Sequence, residues 1–318
     1  MKKLVLVIFA ALTTLTIGCR NSAERGEIVK ETFIHKYGVP VARSDWVLNG
    51  KDGQVIQLHK DGITTSRSYE KGILNGQTSY TFPNSSTIQK VETYIGGQII
   101  AKTENFPSGL PMFEEKYEGD QLSQLTRWYE DGTPSAVENY NDSGYIDSGE
   151  YRTLLNVIES RVQSGNGTRI NRNNEAELLS KDTIQNGQLV ERVTFFANGD
   201  PSIVIPYENG LIHGTSLTFL IGGLPKTVEQ WVHGQQEGTT IVYQNGEKMA
   251  EVTYVQSEKH GPEYRFRDGT QMVDEITWTH GVQHGQRKIF TDEAERTEWY
   301  HQGELVSRTT FERMNGIR

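Results

Sequence analysis

The stretch Tyr207-Glu208-Asn209-Gly210-Leu211-Ile212-His213-Gly214 is answered further along by Trp231-Val232-His233-Gly234-Gln235-Gln236-Glu237-Gly238. In both, an aromatic residue leads to one glycine three positions on and to a second glycine four positions after that. The same register continues at Tyr254 with Gly261, at Trp278 with Gly281 and Gly285, and at Tyr300 with Gly303; it runs backwards through Tyr69-Gly72-Gly76 and Tyr94-Gly97. The step is roughly 23 residues, and self-similarity at a fixed period of this size signals a repeat architecture rather than a single core.

Each repeat reads as a β-hairpin. Asn-Gly or Asp-Gly recurs at Asn49, Asn75, Asp131, Asn186, Asn198, Asn209, Asn245 and Asp268. This dipeptide between β-formers is the strongest short hairpin signal, because a type I′ turn needs φ > 0 at both central residues. The intervening runs, such as Thr239-Thr240-Ile241-Val242-Tyr243, have strand length and are rich in β-branched and aromatic residues. The expected fold is all-β: an elongated antiparallel meander of about ten hairpins, with a short helical or irregular insert near the middle. Tyr or Trp at equivalent places in successive units is expected to stack into a cross-strand ladder, and the end units are expected to be irregular, because a bare sheet edge invites strand addition.

The expected organisation is a signal peptide at 1–18, a tether and irregular start at 19–44, a first array at 45–144, an insert at 145–180 and a second array at 181–318. The first array opens with a degenerate unit near Trp46. The motif fades after Tyr140 and resumes near Ile184. In between, Leu154, Leu155, Ile158 and Val162 recur at helical spacing, and Glu175-Ala176-Glu177-Leu178-Leu179 offers a second turn of helix. The segment reads either as a degenerate repeat or as a helical insert.

Composition narrows the classes. Only 35% of the 318 residues are hydrophobic, while glycine numbers 32; many turns and a thin sheet fit this better than one large core. Net charge is −9, and removing Lys2 and Lys3 with a leader would bring it to −11 (−9 minus 2). Nucleic-acid binding rests on Lys and Arg displacing counterions, so no nucleic-acid partner is expected.

Met1-Lys2-Lys3 is a basic opening. Leu4 to Ile17 is a largely apolar run of about 14 residues, shorter than a membrane span of about 20. It ends in Leu15-Thr16-Ile17-Gly18-Cys19, and Cys19 is the one cysteine of the chain, so no intrachain disulfide is expected. This ending resembles the lipobox of bacterial lipoproteins, although Thr16 stands where leucine is usual. The resemblance implies cleavage before Cys19, lipidation of its thiol, and a lipid-anchored body at the cell envelope, at the outer membrane if the cell is Gram-negative. The membrane is thus an expected partner through the lipid on Cys19.

His213, His233, His260, His280 and His284 each precede a turn glycine. They read as turn residues of the repeat in a row along one edge, so no metal site is expected; zinc needs three or four converging ligands. Gly-x-Ser-x-Gly, a Walker loop and His-Glu-x-x-His are absent from the sequence, and no catalytic residue or cofactor is expected. The acidic pair Glu114-Glu115 reads as a solvated face. Tyr69, Tyr94, Tyr207, Tyr254 and Tyr300 read as packing between units rather than as a sugar-stacking platform.

The full pattern, clearest in Tyr207–Gly223 and Trp231–Gly246, resembles the bacterial variant of the MORN repeat. Many bacterial proteins of this kind are labelled antitoxins of the YwqK type. The structural residues of the repeat are then Tyr69, Gly72, Gly76, Tyr94, Gly97, Tyr207, Gly210, Gly214, Trp231, Gly234, Gly238, Tyr254, Gly261, Trp278, Gly281 and Gly285. The expected function is an exported, lipid-anchored scaffold that binds another protein; the alternative is an antitoxin or immunity protein that sequesters a toxin.

Overall fold

The computed structural model describes residues 26–317, so the leader and Cys19 lie outside the described residues. The described residues divide into two compact units, one ending at Gln98 and the other beginning at Ile99. Among the described residues there are 27 strands and two short helices. In the first unit Ile28–His35 pairs antiparallel with Gly53–His59, which pairs with Thr64–Glu70, then Ile73–Thr81, then Ile88–Ile95. The second unit follows the same rule of pairing with the next strand in sequence, down to Glu295–His301 with Glu304–Val306. The hairpins number more than ten.

The middle of the chain adds to that number, as do Ile28–His35 and Pro40–Val41 before the first expected array. Residues 145–180 are not a helical insert; they form the strands Ile146–Arg152, Ile158–Gln163 and Asn166–Arg172, and the start of Leu178–Gln185. Leu154 and Leu155, which suggested a helix, sit in a turn closed by the Thr153 N–H to Val157 C=O bond, with Leu155 86% exposed. The repeat motif fades here because Asn156 (φ 58°) and Ala176 (φ 65°) take the left-handed conformation that glycine takes elsewhere. This stretch supplies most of a hydrophobic cluster of Ala136, Ile146, Tyr151, Val162, Ile170 and Ile184.

The turns are of two kinds. Asn186, Asn209, Asn245 and Asp268 have positive φ, as does the glycine after each, which is the type I′ geometry. At Asp131 and Asn198 only the following glycine is left-handed, and Gly132 N–H and Gly199 N–H reach back three residues to Tyr129 and Phe196. Those are wider loops with a type I turn and a left-handed glycine. Asn49 caps a helix, and Asn75 lies within the strand Ile73–Thr81.

The second glycine of each motif has its own task. Gly76, Gly214, Gly238, Gly261 and Gly285 lie at or next to strand irregularities with positive φ, and each faces the aromatic of the following unit: Tyr94, Trp231, Tyr254, Trp278 and Tyr300. The aromatics therefore do not stack on one another as expected. A pleat position without a side chain leaves room for a large residue directly across from it in the register. Several of these aromatics also hydrogen-bond a carboxylate two residues earlier. Tyr94 and Tyr300 donate to Glu92 and Glu298, and the Trp231 indole N–H donates to Glu229.

Both ends depart from the hairpin rule. Within the stretch read as tether and irregular start, Ile28–His35 and Pro40–Val41 are strands, and Trp46 lies on the helix Arg43–Leu48 rather than opening a hairpin. Its indole is buried against Phe33 and Tyr69. At the other end Ser307 accepts from Thr310 N–H to start the helix Arg308–Met314, whose Phe311 packs on Trp299 at 4.9 Å between ring centroids. Each helix is about two turns or less and is held by one aromatic rather than by propensity.

Polar groups fill much of the buried face. Glu138 is 1% exposed and accepts from the Tyr140 and Tyr151 hydroxyls. Tyr151 reaches it by lying across Gly149, where an added Cβ would come within 2.6 Å of the phenol oxygen. Burial, and then the Glu138 carboxylate, push the Tyr151 phenol far above its ordinary range. Replacing Tyr151 by Phe should therefore lower stability by about 1–2 kcal/mol, because a charged acceptor loses a buried donor. Chemical denaturation of both proteins checks this, and an unchanged midpoint would contradict it.

Candidate functional site

One turn of every repeat is tight, and these tips are tied to one another. In the second unit Gly234 N–H donates to Ile212 C=O at 2.8 Å, Ser257 to Gln236 at 2.9 Å, Gly281 to Lys259 at 2.9 Å and Gly303 to Gln283 at 2.9 Å. In the first unit Gly97 N–H donates to Leu74 C=O at 2.8 Å. Each tip is thus positioned by main chain on the tip before it. Side chains carried there inherit a fixed register, whatever their own identity.

Two sets of side chains use that register in the second unit. The first is aliphatic. Leu211, Val232, Val255, Val282 and Leu305 flank successive tips and are exposed, Leu305 to 62%. They partly cover neighbouring glycines: an added Cβ on Gly234 would meet Leu211 at 3.7 Å, and one on Gly303 would meet Val282 at 3.5 Å.

The second set is histidine. The sequence suggests an even row, but the structure sorts the histidines into pairs. His213 and His233 have ring centroids 4.8 Å apart, His260 and His280 4.9 Å, and His284 and His301 5.0 Å. In the first two pairs one histidine precedes a bulge glycine (Gly214, Gly261) and its partner precedes the next tip glycine (Gly234, Gly281). In each pair the Nδ1 of the earlier histidine faces a main-chain N–H of the next tip: His213 that of His233, His260 that of His280, and His284 that of Gln302. Carboxylates join two of the pairs: Glu208 lies 3.3 Å from His213 Nε2, and Glu258 lies 3.5 Å from His280 Nδ1. Glu208, His213 and His233 bring three metal-ligating atoms within 4.8 Å of one another.

Of the motif aromatics and glycines, Tyr69 lies opposite Gly53, Gly72 and Gly97 lie at tips, and Tyr207 lies beside the turn at Gly210. What the sequence reading missed is a set of buried acids and their partners. Asp182 is fully buried among Arg192, Arg169, Asn171 and Ser180. Asp274 is held by Arg287 at 2.7 Å, and Glu263 by Lys259 at 2.7 Å and Arg265 at 2.8 Å. No motif in the sequence marks these three; a Glu-x-aromatic pattern recurs only at other acids, such as Glu92, Glu138 and Glu298. A small cavity among Tyr129, Tyr151, Arg152, Asn171 and Arg172, of about 20 Å³, has room for a water rather than for an organic substrate.

No family model matches the chain, and no curated protein matches it. Among solved structures it is similar to a Photorhabdus luminescens Tc holotoxin pore, at 14% identity and a TM-score of 0.25 over 87% of this chain and 14% of that one. It is similar to the TcdB2–TccC3 complex at 13% identity and a TM-score of 0.23, over 88% and 14%. A porin-like protein from Bacteroides uniformis aligns at 12% identity and a TM-score of 0.16, over 77% and 89%. The chain spans 14% of the length of each toxin chain, and likenesses this slight carry nothing about its role.

Proposed function

We propose that this chain is an exported scaffold of the bacterial cell envelope, built of MORN-type hairpin repeats, anchored through a lipid on Cys19, and binding another protein along its hairpin tips. The observation that carries the reading is the recurrence of exposed aliphatic side chains beside successive hairpin tips: Val232 and Val255 just before the turn, Leu211 and Val282 just after it, and Leu305 two residues past Gly303. Single exposed apolar residues are ordinary, whereas a contiguous apolar patch marks an interaction surface. Here the main-chain bonds between tips hold the side chains in register before any partner arrives, which lowers the ordering cost of association. The ending Leu15-Thr16-Ile17-Gly18-Cys19 supports the anchor.

Site-specific photocrosslinking in cells tests the tip assignment. A crosslinker at Val232 or Leu305 is expected to capture a discrete envelope protein, and one at Asn198, in a turn at the opposite ends of the strands, is expected to capture far less. Equal capture from Val232 and Asn198 would remove the tips from the reading. Capture of a toxin in the cytoplasm would favour sequestration of that toxin instead.

A further inference from the structure

We propose that Glu208, His213 and His233 form a binding site for a divalent transition metal, with zinc the first candidate. The assignment does not depend on the envelope reading. Glu208 ends the strand Pro201–Glu208, and the Asn209-Gly210 turn brings it beside His213. His233 is the first central residue of the next tip (φ 47°), and that tip is bound to the earlier hairpin through Gly234 N–H and Ile212 C=O. The three ligands thus come from two adjacent repeats held together by main chain.

The spacing suits the metal. Zinc bonds to imidazole nitrogen and carboxylate oxygen are each about 2.0–2.2 Å, and a tetrahedral angle between them separates the two ligand atoms by about 3.3 Å. Glu208 Oε2 and His213 Nε2 are 3.3 Å apart. The third ligand atom lies within 4.8 Å of both, and His233, exposed at its tip, has a rotatable side chain to close that gap. Water completes the coordination. His213 Nδ1 faces the His233 N–H at 3.4 Å. A metal on Nε2 puts the ring proton on Nδ1, which then cannot accept from the His233 N–H, so metal binding gives up this long hydrogen bond and requires the His213 ring to turn from that donor.

The other two pairs give contrasts within the same molecule. At His284 and His301 the amide of Asn315 bridges the two rings, at 3.2 Å to His284 Nε2 and 3.3 Å to His301 Nδ1, and Phe311 packs on them. A polar group from the last helix thus occupies the position between those imidazoles. At His260 and His280 the carboxylate of Glu258 reaches only His280, and among the described residues only the Glu208 set brings three ligand atoms within reach of one ion. A generic preference for histidine at turns would not distinguish the three pairs.

The test is calorimetric titration of zinc chloride into the untagged full chain after chelator treatment, with circular dichroism to confirm folding. The expected result is one zinc per chain in the wild type. Glu208→Gln, His213→Gln and His233→Asn should each weaken binding at least tenfold; Asn suits position 233 because it tolerates the left-handed conformation. His280→Asn, the equivalent tip substitution in the second pair, should leave the affinity unchanged. Absence of binding by the wild type would overturn the assignment. So would an affinity that survives His213→Gln and His233→Asn, or an equal loss in His280→Asn.

Discussion

Asp182→Asn is expected to lower the stability of the second unit by about 3 kcal/mol, because removing one member of a buried ion network leaves the others without a counter-charge. For a unit of this size, that corresponds to a fall in Tm of about 6–12 °C. Asp182 is fully buried and holds Arg192 through two hydrogen bonds of 2.8 and 2.7 Å and Arg169 through one of 3.2 Å. The amide keeps the shape but not the charge, and both guanidinium groups stay where they were. The same network sets a pH dependence. Burial alone would raise the Asp182 pKa; hydrogen bonds and charge from Arg192, with the charge of Arg169, outweigh it and hold the carboxyl below its usual range. Glu92 and Glu263 are likewise held low, against burial, by Lys90 and by Lys259 with Arg265. A depressed folded-state pKa gives stability that is complete above the unfolded value, near pH 4, and is lost as pH falls through the folded value. Thermal melts should therefore depend little on these groups from pH 7 to 5 and fall steeply below about pH 4, and Asp182→Asn should flatten that fall. A variant as stable as the wild type at pH 7 would show that the network contributes nothing net.

The second large effect is Gly167→Ala, with an expected loss of about 3 kcal/mol or more. Gly167 has φ 146° and faces the buried Val162, and a Cβ there would lie 2.1 Å from Arg161 C=O. No side-chain movement relieves an overlap with main chain, so the hairpin Ile158–Gln163 with Asn166–Arg172 must open beside the hydrophobic cluster. Gly210→Ala is the control. Its φ of 79° is also left-handed, but nothing lies within 4 Å of the added Cβ, so only the conformational cost of about 1–2 kcal/mol applies. Equal losses in urea denaturation for the two variants would mean that close approach at Gly167 is not what fixes the residue.

These two positions mark the limits of what the sequence reveals. The hairpin repeat is legible wherever glycine takes the left-handed turn positions, because few other residues do so cheaply. It fades over 145–180, where Asn156 and Ala176 take that conformation at some cost and where Leu154 and Leu155 mimic helical periodicity from inside a turn. Tertiary pairing decided the outcome there: Val162 and Ile170 alternate into the cluster as strand residues do. The buried acids were hidden for a different reason. Glu92, Glu138 and Glu263 alternate with apolar and aromatic residues as a solvated strand face does, and only the partners across the sheet show that the polar side is inside. The pairing of histidines was not legible either. It depends on which tip N–H each earlier ring faces, as His213 faces that of His233 and His260 that of His280, and spacing alone does not contain that geometry.

The envelope reading rests on Cys19, and the most direct test of it is intact mass with cell fractionation, comparing the wild type with Cys19→Ala. The expected wild-type species begins at Cys19, carries two or three acyl chains and sediments with membranes, while the variant lacks the lipid and leaves the membrane fraction. A wild type that is unlipidated, retains its first eighteen residues and is found with the variant in the soluble cytoplasm would contradict the anchored scaffold.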